Sequence, residues 1–119
     1  TEKTLKYAYW DGAAWVIQTV DSAYNTGLFS SLKLDAAGNP HISYFDDKND
    51  DLKYAAWNGA AWTIETVDSR KSVGLFTSLA LDSQGRPSIS YYDATNGDLK
   101  YAYIPMPKVY LPLVIKAHP

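Results

Sequence analysis

The chain contains no cysteine, which excludes disulfide bonds, thiolate metal sites and a cysteine nucleophile. It also lacks any apolar run longer than a few residues, so no segment predicts a membrane-spanning helix. The net charge is only −2, which gives no electrostatic signature for binding nucleic acid or an anionic membrane. Neither a methionine nor a signal sequence opens the chain, so we expect a processed product or a piece of a longer protein.

Apolar and aromatic residues are plentiful. They make up 46% and 14% of the 119 residues, which is enough to form a core and argues against disorder. No segment shows a 3.6-residue apolar period of useful length, so helices are not expected.

A repeat of 47 residues organises the sequence. The tetrapeptide Leu-Lys-Tyr-Ala begins at Leu5, at Leu52 and again at Leu99. Residues 5–51 and 52–98 are identical at 29 of 47 positions without a gap. Self-similarity at a fixed period of this size indicates a repeat architecture.

Each repeat predicts four short strands joined mostly by tight turns. Residues 78–82 and 88–92 alternate apolar with small or polar side chains, which is the period-two pattern of a strand. Gly85 lies between them, where a reversal needs a positive φ, and an Asn-Gly dipeptide at 58–59 is typical of a hairpin turn. Residues 68–76 are expected to form a longer connection to the next repeat.

Four antiparallel strands per repeat predict an all-β chain built from β-propeller blades, about 2.5 of which fit in this chain. Residues 5–20 are expected to supply the outer half of one blade and 30–67 a full blade. Residues 77–103 are expected to form a further blade that the tail 104–119 completes. A β-sandwich of tandem hairpins is the main structural alternative.

The repeat also carries a recurrent pattern. It reads Ser-Leu-Ala-Leu-Asp-x-x-Gly-x-Pro-x-Ile-Ser-Tyr-Tyr-Asp, then Asn-Gly-Asp-Leu-Lys-Tyr-Ala and Trp-Asp/Asn-Gly-x-x-Trp, and it covers residues 5–103. This pattern resembles the repeats of extracellular bacterial β-propeller proteins, which implies a propeller fold but no single activity. Residues 109–116 resemble the short ends of secreted proteins from Chloroflexota, which implies a protein exported from the cell or held at its surface.

Residues suited to catalysis are scarce. Arg70 and Arg86 fall in different loops, and they are too few for the three-arginine cluster of sialidase-like propellers. Glycosidase chemistry needs two carboxylates at a defined separation, yet Glu65 aligns with Gln18 in the preceding repeat. The next repeat has serine in the place of His41, so no general base is indicated. We therefore expect a protein that is not an enzyme.

Oxygen ligands recur in the second hairpin of each repeat: Asp46, Asn49, Asp51, Asp93, Asn96 and Asp98. Such ligands suit a hard cation such as Ca²⁺. Asp and Asn are also the usual turn formers, and the spacing is not that of an EF-hand. We therefore expect structural turns and no cofactor, with calcium at these residues as the alternative.

Aromatic residues give a second binding hypothesis. The four tryptophans flank the third hairpin, where we expect them to pair across strands and pack between blades. Flat aromatic faces also suit the C–H surfaces of sugars, and Asp or Asn side chains bind hydroxyls. The candidate ligand-binding residues are Tyr44, Asp46, Tyr91, Tyr92 and Asp93.

The repeats are too few to close a ring, since a closed propeller has about four to eight blades. Open sheet edges promote association, so the expected partner is another copy of the chain or the remainder of a longer propeller. Segments 5–10 and 99–103 are both third strands and compete for one place, so the tail is expected to supply the missing fourth strand. The predicted assembly edges are Leu5, Tyr7, Tyr9, Tyr110, Leu111, Leu113 and Ile115.

The connections between repeats keep their ends and change their centres, at residues 23–26 and 70–73. Variable loops on a rigid frame commonly carry recognition. The sequence therefore predicts an exported scaffold that self-assembles by strand or blade complementation or displays binding loops. A lectin-like glycan-binding module and a C-terminal fragment of a larger propeller protein are the alternatives.

Overall fold

A computed structural model describes residues 3–104, and this segment of the chain is all-β. Its strands are β1 (Leu5–Trp10), β2 (Trp15–Asp21), β3 (Thr26–Leu34), β4 (Pro40–Asp46), β5 (Asp51–Trp57), β6 (Trp62–Asp68), β7 (Val73–Leu81), β8 (Pro87–Asp93) and β9 (Asp98–Tyr103). The predicted absence of helix is confirmed for these residues. The same range accordingly holds no helix long and apolar enough to cross a bilayer.

The strands form three antiparallel sheets that follow one another along the chain. Sheet 1 contains β1 and β2, sheet 2 contains β3 to β6, and sheet 3 contains β7 to β9, each in sequence order. Sheet 2 is therefore a complete repeat unit of four strands. Sheet 1 has only the two outer strands of such a unit, and sheet 3 has its first three strands within the described range.

Side chains in the hairpins satisfy the turn backbone. In the turn between β1 and β2, Asp11 Oδ1 accepts hydrogen bonds from the backbone N–H groups of Ala13 and Ala14, at 2.8 and 2.9 Å. Asn58 has the same role in the equivalent turn of the next repeat. Gly59 follows it with a φ of 101°, a conformation that other residues rarely adopt. The Asp-Gly and Asn-Gly dipeptides thus fix these reversals.

The connection between repeats is shorter than the sequence pattern indicates. β3 starts at Thr26 rather than near residue 30, which leaves only residues 22–25 as the connection. The expected alternation is lost there because the ladder is irregular on both sides of Leu28, and Phe29 has a φ of 53°. The next repeat shows the same shift, with β7 starting at Val73.

Two clusters of apolar side chains join the three sheets. Each sheet has an N-side face toward the preceding sheet and a C-side face toward the following one. We call the contact between two successive sheets a joint. In the first joint, the C-side face of sheet 1 packs on the N-side face of sheet 2, through Leu5, Val20, Ile42, Tyr44 and Ala55. The second joint packs sheet 2 on sheet 3 in the same way, through Leu52, Tyr54, Val73, Leu79, Ile89 and Tyr91.

A glycine in each joint allows the sheets to approach closely. A Cβ atom on Gly74 would lie 2.7 Å from the Cα atom of Leu52, closer than such atoms approach in proteins. In the first joint, a Cβ atom on Gly27 would lie 2.9 Å from the Cα atom of Leu5. The leucine that begins each of the first two Leu-Lys-Tyr-Ala segments, Leu5 and Leu52, is therefore covered by a glycine of the next sheet.

Candidate assembly faces and inter-sheet clefts

Each joint contains a buried hydrogen bond between a tyrosine and an aspartate. The Tyr44 hydroxyl donates to Asp21 Oδ2 at 2.7 Å, and the Tyr91 hydroxyl donates to Asp68 Oδ2 at the same distance. Burial, followed by the bonded carboxylate, raises the pKa of both tyrosines. Both rings are buried between sheets. The sugar-stacking role predicted for Tyr44 and Tyr91 does not fit this position.

The Asp-rich hairpins are held by their own side chains. Asp46 Oδ1 accepts the backbone N–H groups of Lys48 and Asn49, and its Oδ2 accepts the Asn49 side-chain amide at 2.8 Å. Burial raises the pKa of Asp46, but these hydrogen bonds and the Lys53 charge outweigh that effect, so the pKa is lowered. Asp46 is therefore a buried carboxylate that stabilises a turn.

The next hairpin repeats this arrangement. Asp93 accepts the Asn96 side-chain amide at 2.9 Å and lies 3.1 Å from the Lys100 ammonium group. The hydrogen bonds from Asn96, with the Lys100 contact, lower the pKa of Asp93 to about 2. Among residues 3–104 no three or more His, Asp or Glu side chains are grouped to hold a metal ion. Asp93 therefore has the same role as Asp46, that of a buried carboxylate that stabilises a turn.

The remaining candidate calcium ligands, Asp51 and Asp98, begin the strands that follow the hairpins, where they pair with Asp46 and Asp93 across the ladder. Burial, followed by the negative charge of Asp46, raises the pKa of Asp51, and the positive charge of Lys53 offsets this only in part. Tyr92 differs from the other candidate tyrosines, because it is partly exposed on the C-side face of sheet 3.

The tryptophans pair across the third hairpin, which confirms the pairs expected there. Trp57 lies opposite Trp62 with ring centroids 5.6 Å apart, and Trp10 lies opposite Trp15 at 5.8 Å. Trp62 also packs edge-on against Tyr7 of sheet 1 at 5.8 Å. The indole of this fourth strand therefore belongs to the first joint.

The C-side face of sheet 3 is an exposed apolar surface. Leu99 is 81% exposed and Tyr101 62% exposed, and Tyr103 continues the same row. Their counterparts one repeat earlier, Leu52 and Tyr54, are buried under sheet 3. None of the predicted assembly edges within residues 3–104 lies on this face, although the repeat places Leu99 and Tyr101 at the same positions as Leu52 and Tyr54.

Of the predicted edge residues, Leu5 and Tyr7 direct their side chains into the first joint, and Leu5 is buried there. Tyr9 is partly exposed. The backbone edge of β1 has no strand partner other than β2 within the described range. The prediction for the tail residues Tyr110, Leu111, Leu113 and Ile115 falls outside the described residues.

A cleft occurs at the outer end of each joint, in equivalent positions. The first has a volume of about 230 Å³ and is lined by Tyr7, Tyr9, Gln18, Asn39 and Trp57, among others. The second has a volume of about 210 Å³ and is lined by residues that include Tyr54, Glu65, Val67, Ala102 and Tyr103. The first combines aromatic rings with amide groups, whereas the second is mainly apolar with one carboxylate.

A chain of polar groups lies behind the second cleft. His41 Nε2 lies 2.9 Å from Asp35 Oδ2, and His41 Nδ1 is hydrogen-bonded to the Tyr54 hydroxyl. Burial, followed by the charges of Glu65 and Asp35, raises the pKa of Tyr54 to about 12. A raised pKa keeps this hydroxyl protonated, which is opposite to what an activated nucleophile requires.

No protein-family model, curated protein or solved structure matches this chain.

Proposed function

We propose that this chain is a non-enzymatic, exported scaffold of the β-propeller type that assembles with further copies of itself. The contrast between equivalent residues in successive repeats carries the proposal. Leu52 is fully buried by the sheet that follows it, whereas Leu99 is 81% exposed. Contiguous exposed apolar surface of this kind marks interaction sites in soluble proteins.

The packing of the inner strands supports a propeller arrangement. The Leu79 backbone N–H donates to Ser31 Oγ at 3.1 Å, and the Thr77 hydroxyl donates to the Phe29 carbonyl. The first strands of sheets 2 and 3 therefore lie side by side. The fourth strand of sheet 2 leads directly into the first strand of sheet 3, as it does between blades. Export is supported by the resemblance of the repeat and of residues 109–116 to secreted bacterial proteins.

The native particle mass tests this assembly. We expect multiples of 13.2 kDa in light scattering or sedimentation. Leu99→Asp should weaken association by about tenfold or more, because burying an unpaired carboxylate costs several kcal/mol. Ala60→Asp is the matched control, since it adds the same charge in the exposed turn between β5 and β6, away from sheet 3.

A single-chain mass at every concentration would contradict the proposal for copies of this chain. Equal weakening by Leu99→Asp and Ala60→Asp would show that net charge, rather than the apolar face, controls association.

A second function, glycan binding, is favoured by the first cleft. Tyr9 and Trp57 offer aromatic faces there, and Gln18 and Asn39 offer amide groups that bind hydroxyls. A glycan array should then detect saturable binding that Trp57→Ala removes. Trp10→Ala is the control, because Trp10 occupies the same place in its hairpin but does not line this cleft. Binding retained in Trp57→Ala would reject this site.

A further inference from the structure

β1 and β9 carry the same five residues in the same order, Leu-Lys-Tyr-Ala-Tyr, at 5–9 and 99–103. β5 differs from both at its fifth position, where it has Ala56. Alternate residues of a strand point to opposite faces. In the same register, β9 therefore presents the same side chains as β1 to each side of a sheet.

The N-side face of sheet 2 is covered over its outer half only. Sheet 1 buries Ile42 and Ala55, but Leu32 and Leu34 on β3 are 46% and 56% exposed. In sheet 3 the counterpart of Leu32 is Leu79, which is buried because sheet 2 has inner strands to cover it. Sheet 1 has no inner strands that could cover Leu32 and Leu34. Sheet 3 does have two inner strands, β7 and β8, and β8 pairs directly with β9.

The second cleft has the features that hold a tryptophan in the first joint. There, Trp62 packs on Tyr7 and donates its Nε1–H to Gln18 at 3.2 Å. One repeat later, the equivalents of Tyr7 and Gln18 are Tyr54 and Glu65, and both line the second cleft.

Apolar side chains beside Tyr54 and Glu65 in the second cleft are exposed to solvent. Val67 at the second cleft is 37% exposed, whereas its counterpart Val20 in the first joint is only 7% exposed. The chain also carries a tryptophan in the matching strand position, Trp15 at the start of β2, which is 65% exposed.

We propose that β9 of one copy replaces β1 of the next, and that β2 of that next copy becomes the fourth strand of sheet 3. Leu99 then takes the place of Leu5 against Gly27, and Trp15 enters the second cleft beside Tyr54 and Glu65. This inference rests on the self-assembly proposed above and names the strands that exchange.

The exchange retains or reproduces the contacts of the first joint. β2 keeps the bond between Asp21 and Tyr44 of its own chain, because neither residue belongs to β1. The contacts of Leu5 and Tyr7 are reproduced by the identical residues of β9. In addition, β7 and β8 cover the exposed Leu32 and Leu34, so the assembled form buries apolar surface that the single chain leaves in water.

The stoichiometry follows from the strands. Each copy supplies sheet 2 complete and, with the β2 strand of its neighbour, a complete sheet 3. A ring of about four to eight sheets then needs about two to four copies. β1 is displaced in this arrangement, so it competes with assembly instead of promoting it.

Two double-cysteine variants of the full chain test the exchange, because the natural chain has no cysteine. Ala8 pairs directly with Ile17 across β1 and β2, and Ala102 is the β9 counterpart of Ala8. Paired residues of antiparallel strands lie about 4.5–5.5 Å apart at Cα, within the range of a disulfide. Ala102→Cys with Ile17→Cys should form disulfides between chains under oxidation, and reduction should return them to one-chain size on a denaturing gel.

Ala8→Cys with Ile17→Cys is the matched variant. Its disulfide forms within one chain and fixes β1 on β2, so oxidation should lower the particle mass to that of a single chain and reduction should restore assembly. Assembly that persists in this oxidised variant would overturn the exchange. So would the absence of interchain disulfides in the first variant while the unsubstituted chain assembles. An unsubstituted chain that stays at one-chain mass would overturn self-assembly itself.

Discussion

The hydroxyl of Tyr91 on β8 donates a 2.7 Å hydrogen bond to Oδ2 of Asp68, the last residue of the preceding sheet. Tyr44 makes the same bond to Asp21 across the first joint. The bond ties the second strand of one sheet to the end of the fourth strand of the sheet before it. It therefore fixes how neighbouring sheets sit on each other in a way that apolar packing alone does not.

Tyr91→Phe should lower the free energy of unfolding by about 1.5–3 kcal/mol, the range for hydrogen bonds to charged groups. The substitution removes only the Tyr91 hydroxyl, so the buried Asp68 carboxylate loses the hydrogen bond that this hydroxyl donates. Tyr92→Phe is the control at the adjacent, partly exposed position, and it should change the free energy by less than about 0.5 kcal/mol. Urea unfolding measures both, and equal effects would contradict a specific role for the Tyr91 hydroxyl.

The close approach of the sheets can be tested at Gly74. Its φ of 100° is nearly that of Gly59 at 101°, so alanine meets the same backbone strain at both positions. The positions differ in their surroundings, because a Cβ atom at Gly59 has no neighbour within 4 Å, whereas one at Gly74 meets Leu52. Gly74→Ala should therefore cost about 1–3 kcal/mol more than Gly59→Ala in urea unfolding, the typical penalty of overpacking. Similar losses in both variants would show that the second joint adjusts freely.

The sequence predicted the strands well because each turn carries its own local chemistry. Asp11 and Asn58 hold their hairpins through contacts within three residues, which a sequence pattern records directly. The predicted start of β3 was wrong because its irregular ladder around Leu28 breaks the two-residue period. Strand pairing across such an irregularity depends on β4, which lies further along the chain.

The candidate site was harder to predict because it depends on which surfaces the chain itself covers. Phe45 and Tyr92 occupy equivalent positions in successive repeats, yet Phe45 is buried and Tyr92 is partly exposed. Likewise, Leu52 and Leu99 occupy equivalent positions in identical tetrapeptides, and only the presence of a following sheet distinguishes them. Such differences arise from the order of the sheets and not from local composition.

The hydrogen bonds in the second Asp-rich hairpin predict how the pKa of Asp93 responds to substitution. Asn96→Ala removes the side-chain donor to Asp93, so the pKa of Asp93 should rise from about 2 toward its ordinary value of 3.8. Carboxyl chemical shifts in NMR measure this change. Asn49→Ala is the control, because it removes the equivalent donor to Asp46 and should leave the Asp93 titration unchanged.

The Asp93 carboxyl group also makes the free energy of unfolding depend on pH in the acid range. Because the folded-state pKa of Asp93 is lowered, its contribution is present above about pH 3.8 and is lost as the pH falls toward 2. The free energy of unfolding should therefore fall across that window, and less steeply in Asn96→Ala. An unchanged pH dependence in that variant would contradict the role assigned to Asn96.

The raised pKa of Tyr54 predicts that the free energy of unfolding also falls at high pH. Its folded-state pKa is about 12, raised by burial and by the charges of Glu65 and Asp35, against an ordinary value of 10.0. A group with a raised folded-state pKa stabilises fully below its unfolded pKa and loses that contribution as the pH rises through the folded value. The free energy of unfolding should thus fall between about pH 10 and 12. Tyr54→Phe should make this fall less steep without abolishing it, because the pKa values of Tyr44 and Tyr91 are raised as well. Tyr24→Phe, at an exposed position, should leave the fall unchanged. Urea unfolding across this pH range, with ultraviolet titration of the phenols, measures the difference, and identical curves for the two variants would show that the Tyr54 phenol does not govern it.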